Sequence, residues 1–264
     1  MVLSEIWIYP VKSLGGIRLN ASEVEEKGLK FDRRWMIVDE DGVFLTQRVF
    51  SKMALLDISL LENGLVISSR FEPGNEVFVP YTPVSGANIE VKVWDDIVQA
   101  VTVSDEADAW LSKQLDKNVR IVMMPESTRR PADPRYALHG EAVSFADGFP
   151  FLLISQGSLD DLNSRLPEAI EMRRFRPNFV VTGTGPFSED AWKSIRIGSL
   201  SFDVVKPCAR CVLTTIDPKT GEKGAEPLKT LASFRRVNNK ILFGQNLVGR
   251  GTGTVCEGDE ITLV

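Results

Sequence analysis

The sequence predicts a mainly β fold of the α+β class: short antiparallel strands forming sheets or barrels, with a few short helices between them. Three observations point there. Apolar and polar residues alternate with a period of two in short runs, Gly, Asn and Asp punctuate those runs, and helical periodicity is almost missing from the first half.

The first run, residues 2–9, sets Ile6 and Ile8 on one side and Glu5 and Trp7 on the other, and ends at Tyr9-Pro10 with Lys12-Ser13 in the turn that follows. Ile17 to Val24 alternates again and stops near Gly28. Trp35–Val38 then meets Asp41-Gly42, whose residue types tolerate the positive φ of a tight turn before Val43–Leu45. Further runs at 55–61, 65–68, 76–79, 89–93 and 98–103 repeat the pattern. Ser104 is a helix N-cap candidate, with acids in the first turn and Ala107, Trp110, Leu111 and Leu115 on one face. After a strand at 119–123, the segment Pro125–Glu141 is long, irregular and rich in Pro and Arg, as an active-site loop or linker is. A boundary near here divides the chain into 1–118 and 119–264. In the second part, Phe149–Ile154 reads as a buried strand, Ser158 as the start of a helix, and Phe179–Thr182, Ile195–Ile197 and Leu200–Val205 as strands. Cys211–Ile216 is β-branched and also reads as a strand. Pro227 opens a short helix, and 241–243 and 261–264 complete the sheet.

At 264 residues, 43% hydrophobic and 25% charged, the chain can bury a sizeable core. No run reaches the ~18 apolar residues of a membrane span. A basic leader is also lacking, so a cytoplasmic location without membrane attachment is expected. The net charge of −5 argues against a nucleic-acid partner, while local Arg clusters suit a small anion. Three cysteines and one histidine, His139, leave a four-ligand zinc site little to work with and give a Ser-His-Asp triad only one imidazole, in a loop.

Chemistry concentrates in Lys206–Asp217, with Cys208, Arg210 and Cys211. A thioredoxin-type dithiol sits at a helix N-terminus, and the expected strand after Cys211 disfavours it. Both cysteines are equally accounted for as small buried residues, although the adjacent guanidinium favours a thiolate fit for a soft metal. Lys12, Ser13, Arg33, Arg176, Asn178 and Arg210 all fall at strand or turn boundaries. An anion site assembled from several loops needs that placement. Gly249–Gly253 matches no phosphate-loop spacing and reads as a turn.

Taken together, Ile8–Ser13, Gly28–Trp35, Phe175–Asn178, Cys208–Cys211 and Gly258-Asp259 resemble the MOSC family, named for the C-terminal domain of molybdenum-cofactor sulfurases. The order matches the branch with an N-terminal MOSC β-barrel domain ahead of the MOSC β-barrel domain, the branch of the amidoxime-reducing components. The resemblance implies a molybdenum cofactor (Mo-molybdopterin) with Cys211 as metal ligand and catalytic thiolate. Lys12, Ser13, Arg33, Arg176, Asn178 and Arg210 would hold the pterin and its phosphate. It further implies an oxidoreductase that reduces small N-hydroxylated substrates (hydroxylamines, amidoximes, N-hydroxylated bases), a detoxifying reaction in which the oxygen leaves as water. Some relatives carry a fused ferredoxin domain, whereas three cysteines cannot ligate an iron–sulfur cluster that needs four. A separate electron-donor protein, a flavin or iron–sulfur reductase, is therefore the expected partner. A sulfur-transfer or cofactor-carrier module using a cysteine persulfide is the alternative. Arg129, Arg130 and His139 are expected to gate the substrate entrance.

Overall fold

The computed structural model describes residues 1–264, and its fold is mainly β with three α-helices. Val2–Ile8 forms the first strand. It buries Leu3, Ile6 and Ile8, an odd and two even positions, because the register against Phe179–Thr182 shifts between Leu3 and Glu5. The bulge moves Leu3 onto the face that simple alternation gives only to Ile6 and Ile8.

The largest sheet has nine strands. From one edge they run Ile261–Leu263, Ser194–Ile197, Leu200–Arg210, Lys240–Gly249, Phe151–Ser155, Phe179–Thr182, Val2–Ile8 and Ile17–Leu19, with Arg236–Val237 added to Lys240–Gly249. Phe151–Ser155 and Phe179–Thr182 are parallel and flank the helix α2, Gln156–Arg165, while their other sheet neighbours are antiparallel. The first half adds a four-stranded sheet (Trp35–Val38, Arg120–Met123, Asp96–Thr102, Asn88–Val93) and a three-stranded one (Leu56–Leu60, Gly64–Ser69, Glu76–Pro80). Strand pairing also ties the chain ends together, because Ala21–Glu25 pairs with Gly253–Cys256.

The two largest of five apolar clusters hold much of these layers. One gathers Val11, Leu14, Trp35, Ile37, Ile67, Leu111 and Leu115 of the first half, and the other packs Ile6 and Ile8 against Phe151, Phe179, Phe202 and Leu247. Phe202 meets Phe151 and Phe179 edge-on at 5.3 and 5.4 Å, the geometry favoured by the ring quadrupole. The helix α1 spans Asp105–Leu115. Ser104 caps it by accepting from Ala107 N, and Ala107, Leu111 and Leu115 point inward, as the sequence predicts. Leu228–Phe234 forms α3 directly after Pro227. No helix is long and apolar enough to cross a membrane.

Two local expectations are corrected. Ser155, not Ser158, caps α2: Ser155 Oγ accepts from Ser158 N at 3.1 Å, and Ser158 Oγ is engaged with the buried Glu189 carboxylate at 2.7 Å. The strand near the cysteines precedes Cys211 instead of following it. Leu200–Arg210 is the strand, and Val212–Thr215 closes as a 3-10 turn. The β-branched residues that suggested a strand include Thr214 and Thr215. Their hydroxyls donate to the carbonyls of Cys211 (3.0 Å) and Val212 (2.8 Å), a local alternative to the ladder.

Candidate functional site

The strand that carries Cys208 is irregular for a reason legible in its residues. Pro207 has no N–H for the ladder, and register shifts fall on both sides of it, between Val204 and Lys206 and between Pro207 and Ala209. Such bulges re-aim side chains. Cys208 and Arg210 line an open cleft of about 170 Å3, and Cys211 joins them from the corner where strand becomes turn.

The structure brings every predicted site residue to this cleft: Lys12, Ser13, Arg33, Arg176, Asn178, Arg210 and Cys211 all line it. They come from both halves of the chain. Ser13, Arg33 and Arg176 have φ of 69°, 50° and 57°, and Trp94, also in the wall, has 56°. Four of the nine non-glycine residues in the left-handed region therefore sit in one cleft. Backbone in that region is costly and persists only where surrounding contacts impose it.

Those contacts are specific. Arg33 Nη1 donates to both Asp32 carboxylate oxygens at 2.6 and 2.8 Å and to Asn178 Oδ1, and Nη2 donates to the Arg176 carbonyl. Asn178 is fully engaged. Its Oδ1 accepts from Leu152 N at 3.1 Å and its Nδ2 donates to the Trp7 carbonyl, so it fastens the sheet edge to the loop with Arg33. The buried Lys12 ammonium donates to Asp147 Oδ1 at 2.6 Å and the Phe145 carbonyl at 2.7 Å. Ser13 accepts at its carbonyl from Gln47 Nε2.

Arg176 and Arg210 differ from these. Arg176 Nη1 donates only to the Leu14 carbonyl, and Arg210 donates to the Phe175 carbonyl and, at 3.0 Å, to Cys208 Sγ. The guanidinium expected to act on Cys211 thus holds Cys208. The thiol of Cys211 forms no hydrogen bond, although its carbonyl accepts from Thr214 N and Oγ1. Three buried guanidinium nitrogens of the wall also have no acceptor: Arg48 Nε, Arg176 Nη2 and Arg210 Nε.

The electrostatics follow from this imbalance. Lys12, Arg33, Arg48, Arg176 and Arg210 bring five cations, against Asp147 in the wall and Asp32 behind Arg33. Burial, aided by the neighbouring Arg33 charge, pushes the Arg176 guanidinium down to about 10. Burial likewise lowers the Lys12 ammonium, and Asp147 opposes it. The surrounding protein raises the Asp147 carboxyl. Lys12, Trp94 Nε1 and Arg48 outweigh that effect and hold it well below the usual carboxylate range. The Asp147 side chain is nonetheless 63% exposed, so solvent weakens each of these influences.

Arg48, Trp94, Asp147 and Asn246 are wall residues that the sequence reading missed. Arg48 lies over the Trp94 ring at 4.3 Å, and both approach Asp147. The Asp147-Gly148 turn and the Trp94-Asp95 hairpin tip were the available signals. The expected gate is corrected. None of Arg129, Arg130 and His139 lines the cleft. Arg130 is buried and donates to Asp96 and to the carbonyls of Ser144, Ala146 and Asp147, so it fixes the loop that presents Asp147. Arg129 pairs with Glu26 at the surface, and His139 is exposed.

No three His, Cys, Asp or Glu side chains converge as a metal site. A metal held here would bring most of its own ligands, with one thiolate added by the protein. An anionic group carrying such a metal fits the residues present, because the wall offers unpaired buried donors, surplus positive charge and an unengaged thiol.

Comparison with known proteins identifies the family. The MOSC domain matches residues 140–262, and the MOSC N-terminal beta barrel domain matches residues 1–118. Mitochondrial amidoxime-reducing component 1 of Mus musculus is 31% identical over 99% of this chain and 82% of its own length. Molybdenum cofactor sulfurase of Arabidopsis thaliana is 33% identical over 92% of this chain and 32% of its own. Among solved structures, the YuaD protein from Bacillus subtilis covers 98% of this chain and 93% of its own, at 12% identity and a TM-score of 0.45. The chain belongs to the MOSC family, with the N-terminal MOSC β-barrel domain preceding the MOSC domain, and is a distant full-length relative of the mitochondrial amidoxime-reducing components.

Proposed function

We infer that the protein is a molybdenum-cofactor-dependent oxidoreductase that reduces small N-hydroxylated compounds with electrons from a separate redox protein. One observation carries the reading: an unengaged thiol, Cys211, shares a cleft with three buried guanidinium nitrogens that have no acceptor. A molybdenum–pterin group supplies two-electron redox chemistry when bound. Cys211 would be its thiolate ligand. Arg176 and Arg210, whose charges no carboxylate answers, would take the phosphate, and Lys12, Ser13 and Arg33 would flank the pterin. Asn178 orients Arg33, and Arg210 holds Cys208 Sγ. Trp94, Phe149 and Leu213 supply part of the apolar wall. The cleft draws Lys12 to Trp94 from one part of the chain and Ala146 to Asn246 from the other. It therefore lies at the seam of the two units we assign to residues 1–118 and 119–264.

Its test is reduction of a hydroxylamine by cofactor-loaded protein with an artificial electron donor. Wild type is expected to turn over and Cys211→Ala to be inactive, while undiminished activity in Cys211→Ala overturns the reading. Cys208, held by Arg210 beside Cys211, favours a second reading in which a cysteine persulfide carries sulfur. That reading predicts cyanide-releasable sulfur on the protein, lost in Cys208→Ala or Cys211→Ala, and no turnover.

A further inference from the structure

A second, smaller chamber shares Arg176 and Leu213 with the cleft. It holds about 40 Å3, room for a few water-sized atoms, and opens toward solvent. Four arginines, Arg70, Arg173, Arg174 and Arg176, line it together with Tyr9. Three are answered by carboxylates. Arg70 Nε donates to Asp57 at 2.8 Å, Arg174 Nη2 to Asp217 at 2.7 Å, and Arg173 pairs with Glu171. Arg176 has no carboxylate partner, and its Nη2 is buried without an acceptor.

Tyr9 is the second observation. It is 1% exposed, it lines this chamber and not the cleft, and its hydroxyl has no partner. Two guanidiniums lie over the ring, Arg33 at 4.4 Å and Arg176 at 4.1 Å. Gly16 makes room for it, since a Cβ there would come within 2.4 Å of the ring. Burial pushes the Tyr9 hydroxyl above its ordinary value, so the phenol keeps its proton and offers an O–H donor. An unpaired neutral donor and an unpaired cationic one thus belong to the wall of one small polar space, in which guanidiniums outnumber the carboxylates that answer them. Two buried polar groups left without partners are a substantial penalty that one shared acceptor removes.

We propose that this chamber binds a small inorganic oxyanion of the phosphate type, held by the Tyr9 hydroxyl and Arg176 Nη2, beside the cofactor cleft with which it shares Arg176. Arg176 is common to this site and to the reading given for the cleft, and Tyr9, which lines the chamber alone, tells the two apart. An anion here offsets the repulsion between Arg33 and Arg176, and so steadies a guanidinium that both spaces share.

The test is calorimetric titration of the purified protein with inorganic phosphate at constant ionic strength. Wild type is expected to show one saturable site. Tyr9→Phe keeps the ring under the two guanidiniums and should weaken phosphate about tenfold, the worth of a hydrogen bond to a charged group. Arg173→Gln, a substitution at a half-buried wall residue, should weaken it about threefold through lost attraction. Arg210→Gln, confined to the cleft, should leave the affinity within about twofold of wild type. No saturable binding, equal affinity in Tyr9→Phe and wild type, or loss of binding in Arg210→Gln with retention in Tyr9→Phe each overturns the proposal. The last outcome places phosphate in the cleft. Failure here leaves the cofactor reading intact, because that reading is judged by metal content and turnover.

Discussion

Among the five cations that line the cleft, two pairs are held in opposite ways. Lys12 and Arg33 each have a carboxylate within 2.6 Å, Asp147 and Asp32. Arg176 and Arg210 have only carbonyls and a sulfur. The first pair is compensated by the protein alone and organises the loops around it. The second leaves charge and N–H groups unanswered, a state that costs free energy unless a ligand completes it. The difference separates residues that build the wall from residues available to an anion.

Removing the thiol breaks the site most completely: Cys211→Ala is expected to abolish cofactor retention and turnover, measured on protein from a cofactor-competent host, while the unfolding midpoint moves little. Next, the compensated pair should respond as structure. Asp32→Ala leaves the largely buried Arg33 side chain without its partner and also deprives Tyr9 N of its acceptor. A loss of about 3–5 kcal/mol is expected in denaturant unfolding. A loss below about 1 kcal/mol would erase the distinction between the pairs.

The uncompensated pair should behave in the opposite way. Arg210→Met removes a half-buried cation that no carboxylate answers, so the cofactor-free protein is expected to be unchanged or more stable by about 1 kcal/mol. Cofactor affinity should fall at least about tenfold, since a charge-assisted contact is lost. Parallel losses of stability and affinity would instead make Arg210 a wall residue like Arg33.

The smallest effect lies far from the cleft. Burial pushes the Asp108 carboxyl up to about 6, even though it accepts a hydrogen bond from Ile121 N. The folded state therefore holds this proton more tightly than the unfolded chain. The associated stability is full below about pH 4 and is lost as pH rises through about 6. Asp108→Asn should flatten this segment of the stability–pH curve and raise neutral stability by about 1 kcal/mol, read from urea unfolding at several pH values.

Much of this cleft is legible in the chain because its cations and polar groups fall where β-rich runs stop. Lys12-Ser13 follow the first strand, Arg176 and Asn178 precede the strand Phe179–Thr182, and Arg210 ends Leu200–Arg210. Side-chain period also locates α1, where capping and an apolar face agree. Other parts are set by contacts that no local pattern carries. The pairing of Val2–Ile8 with Phe179–Thr182 joins chain segments far apart, and the Leu3 bulge depends on that partner. Thr214 and Thr215 look like strand residues until their hydroxyls bond backward. Trp94 resembles a core residue, yet its left-handed backbone at a hairpin tip turns it to the wall beside Arg48. Arg130 has the composition of a loop cation, but burial makes it the anchor of Ser144–Asp147 instead of a gate.

The most direct test of the account is molybdenum and pterin content per chain, compared between wild type, Cys211→Ala and Arg210→Met expressed in a host that makes the cofactor. The account predicts one molybdenum and one pterin per chain in wild type, little of either in Cys211→Ala, and a reduced amount in Arg210→Met. Equal content in all three proteins, or none in wild type, would contradict it.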